Sequence, residues 1–243
     1  MSARPPAGLR SYLFAPANHV RRAGKAFEVG ADVVILDLED AVALTEKANA
    51  RPLAVEALRR PGGARGYVRA TGVDPPFWRD DLDAVVGPWL DGVVLPKAES
   101  ADHVQAVAAH IEARERAAGL ERGTLELMLI VETARGVVDA EAIAAASPRV
   151  ARLAFGGGDY TNDLDLEWTP EEEALAYGRA RLVHASRVAG LEPPVDTVVL
   201  EVRDPQRFRQ SARNGRRLGL RGKLCIHPDQ IAPCHEAFTP GAA

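Results

Sequence analysis

Eight short apolar runs, each followed by a longer stretch with helical periodicity, constrain this chain more than any other feature of it. They fall at 11–14, 33–37, 67–69, 92–95, 125–131, 150–155, 194–199 and 223–226. Alternating strand-length and helix-length segments are the signature of βα units feeding a parallel sheet. Runs such as VVIL and LMLIV lack polar alternation, which places helices on their outer face and packed side chains on the inner one. Eight strands are the number that closes, so the predicted fold is a (β/α)8 barrel of the TIM type. An open doubly wound sheet is the alternative, although such sheets more often hold five or six strands. Helices are predicted over 20–29, 47–60, 101–118, 137–146, 170–189 and 205–218, with another near 77–86 just after Pro75 and Pro76. No internal repeat, low-complexity segment or linker interrupts the pattern, so 1–243 reads as a single domain, within the size range of one barrel.

Composition narrows the function. Thirty Lys and Arg stand against 34 Asp and Glu, a formal net charge of −4, without the basic excess that binding a phosphate backbone requires. Nucleic acid is therefore an excluded partner class. No apolar run reaches the roughly 18 to 20 residues of a membrane span, and Pro and Arg occupy the N-terminal positions where a signal peptide would be apolar. The expectation is a cytoplasmic protein with no membrane partner. Cys225 and Cys234 are too few for a disulfide framework or a zinc site and read as inert thiols.

In a barrel, chemistry gathers where strands end, so the polar residues closing each run are the ones to weigh. Run two ends in Asp37-Leu38-Glu39-Asp40, run three in Arg69, run four in Pro96-Lys97, run five in Glu132-Thr133, run six in Gly156-Gly157-Gly158-Asp159 and run eight in His227-Pro228. Glu132 and Asp159, at the ends of adjacent strands, are suited to give two hard oxygen ligands to one divalent ion; the competing reading is that each caps the helix after its strand. The three glycines before Asp159 allow close backbone approach to a ligand. Arg69 carries a planar fork matched to a carboxylate or an enolate oxygen, or else forms a surface ion pair. Three acids within four residues at 37–40 need cations, for which Arg10, Lys47, Arg51 and Arg69 are on hand. Lys97 reads as an ion-paired lysine, with a Schiff-base lysine as the alternative. His227 reads as a structural histidine, with a general base as the alternative. Arg21, Arg22 and Lys25 form a basic cluster on an early helix turn, either a solvated face or a seat for the phosphates of a large anionic cofactor.

The motifs SYLFAPAN, VVILDLEDAV followed by EKANAR, a strand ending in Arg, VVLPKAES, LIVETARGV, AFGGGDYTNDL and GKLCIHPDQI stand in order along the chain. Together they resemble the citrate lyase beta-chain-like, acyl-CoA ester lyase branch of the HpcH/HpaI aldolase family, over about residues 10–238. The related metal-dependent aldolase branch reads Asp-x-Glu-His where this chain has Asp37-Leu38-Glu39-Asp40. The resemblance implies a TIM barrel assembled as a homotrimer or a multiple of one, and magnesium on Glu132 and Asp159. It also implies substrate binding by Arg69 and Glu132, and coenzyme A contacts from Arg21 and Lys25. Arg69, Glu39 and Asp40 form the expected catalytic set.

The implied reaction is reversible carbon-carbon cleavage of a 3-hydroxyacyl thioester of the citryl-, malyl- or citramalyl-CoA type into an acetyl thioester and a 2-oxo acid. Two departures bear on it. Arg69-Ala70-Thr71 replaces the Arg-x-Asn frequent in the family, which alters one polar contact. Longer relatives carry a C-terminal lid that supplies an acidic residue to a neighbouring subunit, and the sequence to Ala243 is expected to lack it. Alternatives on the same site are malate-synthase or thioesterase activity, or a non-catalytic subunit that binds metal and coenzyme A and needs a partner chain.

Overall fold

The structure is a computed structural model that describes residues 8–59, 62–73 and 77–239. Eight parallel strands, paired each with the next and the last with the first, close into a barrel. They are β1 (Ser11–Pro16), β2 (Val33–Asp37), β3 (Arg65–Arg69), β4 (Gly92–Leu95), β5 (Glu126–Val131), β6 (Val150–Phe155), β7 (Val195–Asp196) and β8 (Gly222–Cys225). The helices are α1 (Val20–Ala26), α2 (Lys47–Leu58), α3 (Trp78–Val85), α4 (Ala101–Ala117), α5 (Ala134–Val138), α6 (Ala140–Ala144), α7 (Gly157–Asp163), α8 (Ala176–Val188), α9 (Pro205–Leu218) and α10 (Ile231–Phe238). None of the described helices is long and apolar enough to cross a membrane.

Strand alternation sorts the core into two layers. Tyr12, Val33, Ile35, Tyr67, Val94, Met128, Ile130, Ala154, Val195 and Leu224 pack against one another inside the barrel. The residues between them, such as Val34, Leu36, Leu127 and Leu129, join the helical residues in a larger outer layer. That parity fixes what reaches the mouth, because the next inward position on each strand lies at or just past its C-terminal end. Asp37, Arg69, Glu132, Gly156 and Thr197 all occupy it.

Local chemistry sets the helix ends. Ser100 starts α4 by accepting the His103 N–H. Asp204 starts α9 by accepting from Gln206 and Arg207, with Pro205 in the first turn, and Gly219 ends it at φ 109°.

Three predicted spans differ from the structure. The run over 194–199 yields only Val195–Asp196. Pro193 and Pro194 have no N–H to offer a ladder, and beyond the strand the Thr197 hydroxyl is engaged by α7. The helix predicted over 137–146 is two short ones that meet at Asp139. The one predicted over 170–189 begins later, after Glu172 in the left-handed region at φ 64°. That turn carries the Glu172 carboxylate to Arg179 at 2.8 Å and Arg207 at 3.0 Å. The short β7 is tied in by a buried ionic network, in which Asp196 takes Arg179 at 2.8 Å and Lys223 at 2.7 Å. Residue 60, Pro75, Pro76 and Ala243 lie outside the described residues.

Candidate active site

A cavity of about 570 Å³ opens at the C-terminal mouth of the barrel, lined by Phe14, Asp37, Asp40, Arg69, Glu132 and Asp159 among others. Arg69 is its organising cation. Its Nε and Nη2 donate to the two Asp37 oxygens at 2.8 and 2.6 Å. Its Nη1 stands 2.9 Å from Glu39 and 3.7 Å from Asp40. Burial alone would weaken this guanidinium, but Asp37 and then Glu39 outweigh it and hold Arg69 well above its ordinary value.

Of the four cations offered to the acids at 37–40, Arg69 alone pairs with them among the described residues. Lys47 turns its ammonium to the backbone carbonyls of Leu38, Glu39 and Val42. Arg51 binds Asp81, and Arg10 binds Asp32. The second cation is Lys97, whose Nζ donates to Glu39 at 2.9 Å. Burial lowers the Lys97 ammonium, yet Glu39 outweighs it and the net shift is upward. A Schiff-base lysine needs the opposite. Glu39 is raised above the usual carboxylate range, chiefly by burial. It lies beneath the mouth between two cations, whereas Asp40 is exposed at the rim.

Glu132 and Asp159 line one cavity. The capping alternative does not hold for Glu132, whereas Asp159 does stand in the first turn of α7. Thr133 caps α5 by accepting from Gly136, and α7 has no side-chain cap from its own N-cap residue, Gly156. Glu132 instead accepts the backbone N–H of Lys97 at 2.9 Å. Lys97 is left-handed at φ 47°, a cost that a lysine bears only where its surroundings enforce it, and this backbone carries that N–H to Glu132. Burial first, then the Asp159 charge, push the Glu132 carboxyl up to about 8. Among the described residues, no three His, Cys, Asp or Glu converge into a ready metal cage.

Several residues fall outside the expected set. The GGGD segment opens a helix, α7, which the predicted helical spans did not include. Gly156 is obligatory there, since a Cβ would overlap Glu132 Oε2 and Cβ. Thr197 and Ile226 also line the cavity. The signal for them was available: each stands two positions beyond an inward apolar residue, Val195 and Leu224. Arg21 and Lys25 lie on the exposed face of α1 and do not line the cavity, whereas their neighbours Arg22 and His19 do. Thr71 turns away to Asp81, which its hydroxyl meets at 2.6 Å. His227 accepts the Asp229 N–H at 3.2 Å and starts a helical turn, the structural role.

A closed parallel barrel with a guanidinium and a group of carboxylates at its C-terminal mouth is the architecture of a barrel enzyme. The sequence profile of the HpcH/HpaI aldolase/citrate lyase family matches residues 10–228, and the chain belongs to that family of aldolases and lyases. It is 41% identical to the citrate lyase subunit beta-like protein of Deinococcus radiodurans, over 98% of this chain and 83% of that one. It is 36% identical to the L-malyl-CoA/beta-methylmalyl-CoA lyase of Cereibacter sphaeroides, over 95% of this chain and 79% of the relative. Among solved structures, the citrate lyase beta subunit of M. tuberculosis complexed with oxaloacetate and magnesium superposes with a TM-score of 0.79. That pair is 31% identical over 96% of this chain and 98% of the other. Protein CitE from Mycobacterium tuberculosis in complex with magnesium, acetoacetate and coenzyme A gives 0.80 at 31% identity, covering 97% of this chain and 82% of that one.

Proposed function

We propose that this chain is a magnesium-dependent carbon-carbon lyase that cleaves a 3-hydroxyacyl thioester, carried on coenzyme A, to an acetyl thioester and a 2-oxo acid. The observation that carries the reading is the cavity that joins Arg69, Glu132 and Asp159 at one mouth. Relatives named as citrate lyase beta subunits and a malyl-CoA lyase support it, as do similar structures that hold magnesium with oxaloacetate, or magnesium with acetoacetate and coenzyme A.

The residues present fit magnesium. Glu132 and Asp159 are hard oxygen donors, the kind this ion takes in ones and twos while keeping water or substrate in its other positions. Burial lifts Glu132 to about 8 with help from the Asp159 charge, and a cation shared between the two carboxylates would offset both. Bound there, the ion would polarise the oxygen of the carbonyl that forms on cleavage.

The chain's own groups account for the rest. The Asp40 carboxylate, exposed at the rim and 3.7 Å from Arg69, serves as the base that accepts the 3-hydroxyl proton. Loss of that proton lets the hydroxyl become a carbonyl as the C2–C3 bond breaks, and the electron pair leaves on the thioester enolate. Protonation at carbon then gives the acetyl thioester. Arg69 steadies the negative charge as it develops, with the part of its guanidinium left over from Asp37. Glu39, held between Arg69 and Lys97, positions that guanidinium. Arg22 and His19 place a cation and an imidazole where the carrier would enter.

The test is an assay of the purified chain with magnesium and a panel of malyl-, citramalyl- and citryl-CoA. Release of acetyl-CoA with a 2-oxo acid supports the reading. Free coenzyme A from acetyl-CoA plus glyoxylate points to synthase or thioesterase chemistry, and silence on every substrate with magnesium bound points to a subunit that needs a partner.

A further inference from the structure

Thr197 stands two residues past Val195, is buried, and touches the cavity. Its Oγ1 accepts the N–H of Gly157 at 2.8 Å. Gly157 is the first residue of α7, and Asp159 lies in that helix's first turn. The opening N–H groups of a helix have no acceptor within it. The N-cap Gly156 has no side chain to supply one, so Thr197 serves this helix end from just past β7.

The fit around the junction is close on both sides. A Cβ on Gly157 would lie 2.9 Å from Thr197 Oγ1 and 3.1 Å from its Cγ2, while a Cβ on Gly156 would overlap Glu132. The turn from β6 into α7 is thus wedged between Glu132, just past β5, and Thr197, just past β7. The far end of α7 is tied down separately, where Asp163 accepts the Ala134 N–H at 2.7 Å.

From this arrangement we infer that Thr197 is a positioning residue: by holding the first turn of α7 it fixes Asp159 opposite Glu132. The inference rests on the reading that those two carboxylates share magnesium. A carboxylate on a loosened helix turn still reaches the cavity, but it spends less time where both oxygens meet one ion. Removing the hydroxyl therefore acts on metal affinity before it acts on the fold.

Calorimetric titration of magnesium into wild type, Thr197→Val and Thr197→Ser, with thermal midpoints recorded alongside, tests it. The valine variant keeps the shape and loses the acceptor, and is expected to bind magnesium about tenfold more weakly, as when an outer partner of a metal ligand is lost. The serine variant restores the oxygen and is expected to bind close to wild type. Thr197→Ala replaces the valine variant in the comparison if that one does not fold. A folded valine or alanine variant with wild-type affinity, or a serine variant as weak as either, overturns the role assigned to Thr197 alone. A wild-type chain that takes up no magnesium overturns this inference together with the reading beneath it.

Discussion

Asp37 and Arg69 face each other across β2 and β3 as register partners, and their side chains close a two-pronged contact at 2.8 and 2.6 Å. Two of the guanidinium's donors are thereby committed to the protein. What remains for a ligand is an oriented edge beside Glu39, whose carboxylate stands 2.9 Å from Nη1. Arg69→Lys keeps the charge but cannot reproduce the fork. It is expected to lower kcat by about 100-fold or more, the scale seen when a preorganised donor to developing negative charge is lost. Steady-state kinetics with the thermal midpoint as control check this.

At Gly156 any Cβ would overlap the Glu132 side chain. Gly156→Ala is expected to displace the carboxylate and abolish magnesium binding. The alternating apolar pattern of β6 is untouched by the change, so circular dichroism should report an intact barrel while calorimetry reports no uptake.

Lys97 combines a left-handed backbone with an ammonium that binds Glu39. Two substitutions separate these. Lys97→Gly and Lys97→Ala both lose the ammonium, but glycine is at ease at φ 47° and alanine is not. The glycine variant should be more stable than the alanine variant by about 1 kcal/mol, measured by chemical denaturation.

The network around Asp196 makes a pH prediction. Burial would raise this carboxyl, but Lys223 and Arg179 outweigh it and hold Asp196 below the usual range; Glu172 is held low in the same way. The unfolded chain therefore binds protons more readily than the folded one in the acid range. The stability these groups contribute is complete above the ordinary carboxylate pKa of about 4 and is lost as pH falls below it. Thermal midpoints should drop steeply there. Asp196→Asn leaves Lys223 and Arg179 short of a counter-charge and should cost about 3 to 5 kcal/mol at neutral pH.

Much of this was legible in the chain. VVILD and LMLIV told their class through unbroken apolar character, and counting two past each inward residue leads to Asp37, Arg69 and Glu132. The parts that escaped depend on long-range partners. The short span of β7 follows from its flanking prolines together with the Thr197–Gly157 bond, forty residues apart in sequence. The helix over Gly157–Asp163 has glycines where a helix former is expected, because close approach to Glu132 and Thr197 decides those positions ahead of propensity. The cations chosen by the acidic segment were likewise a matter of packing. Lys47 and Arg51 are near in sequence, yet Lys97, far along the chain, takes Glu39.

If Glu132 and Asp159 share one magnesium ion, neither carboxylate can be lost without losing the metal. Calorimetric titration of magnesium into wild type, Glu132→Gln and Asp159→Asn tests it most directly. One ion per chain in wild type, and loss of detectable binding in each variant with the barrel still folded, is the predicted result. Undiminished binding in either variant would contradict it.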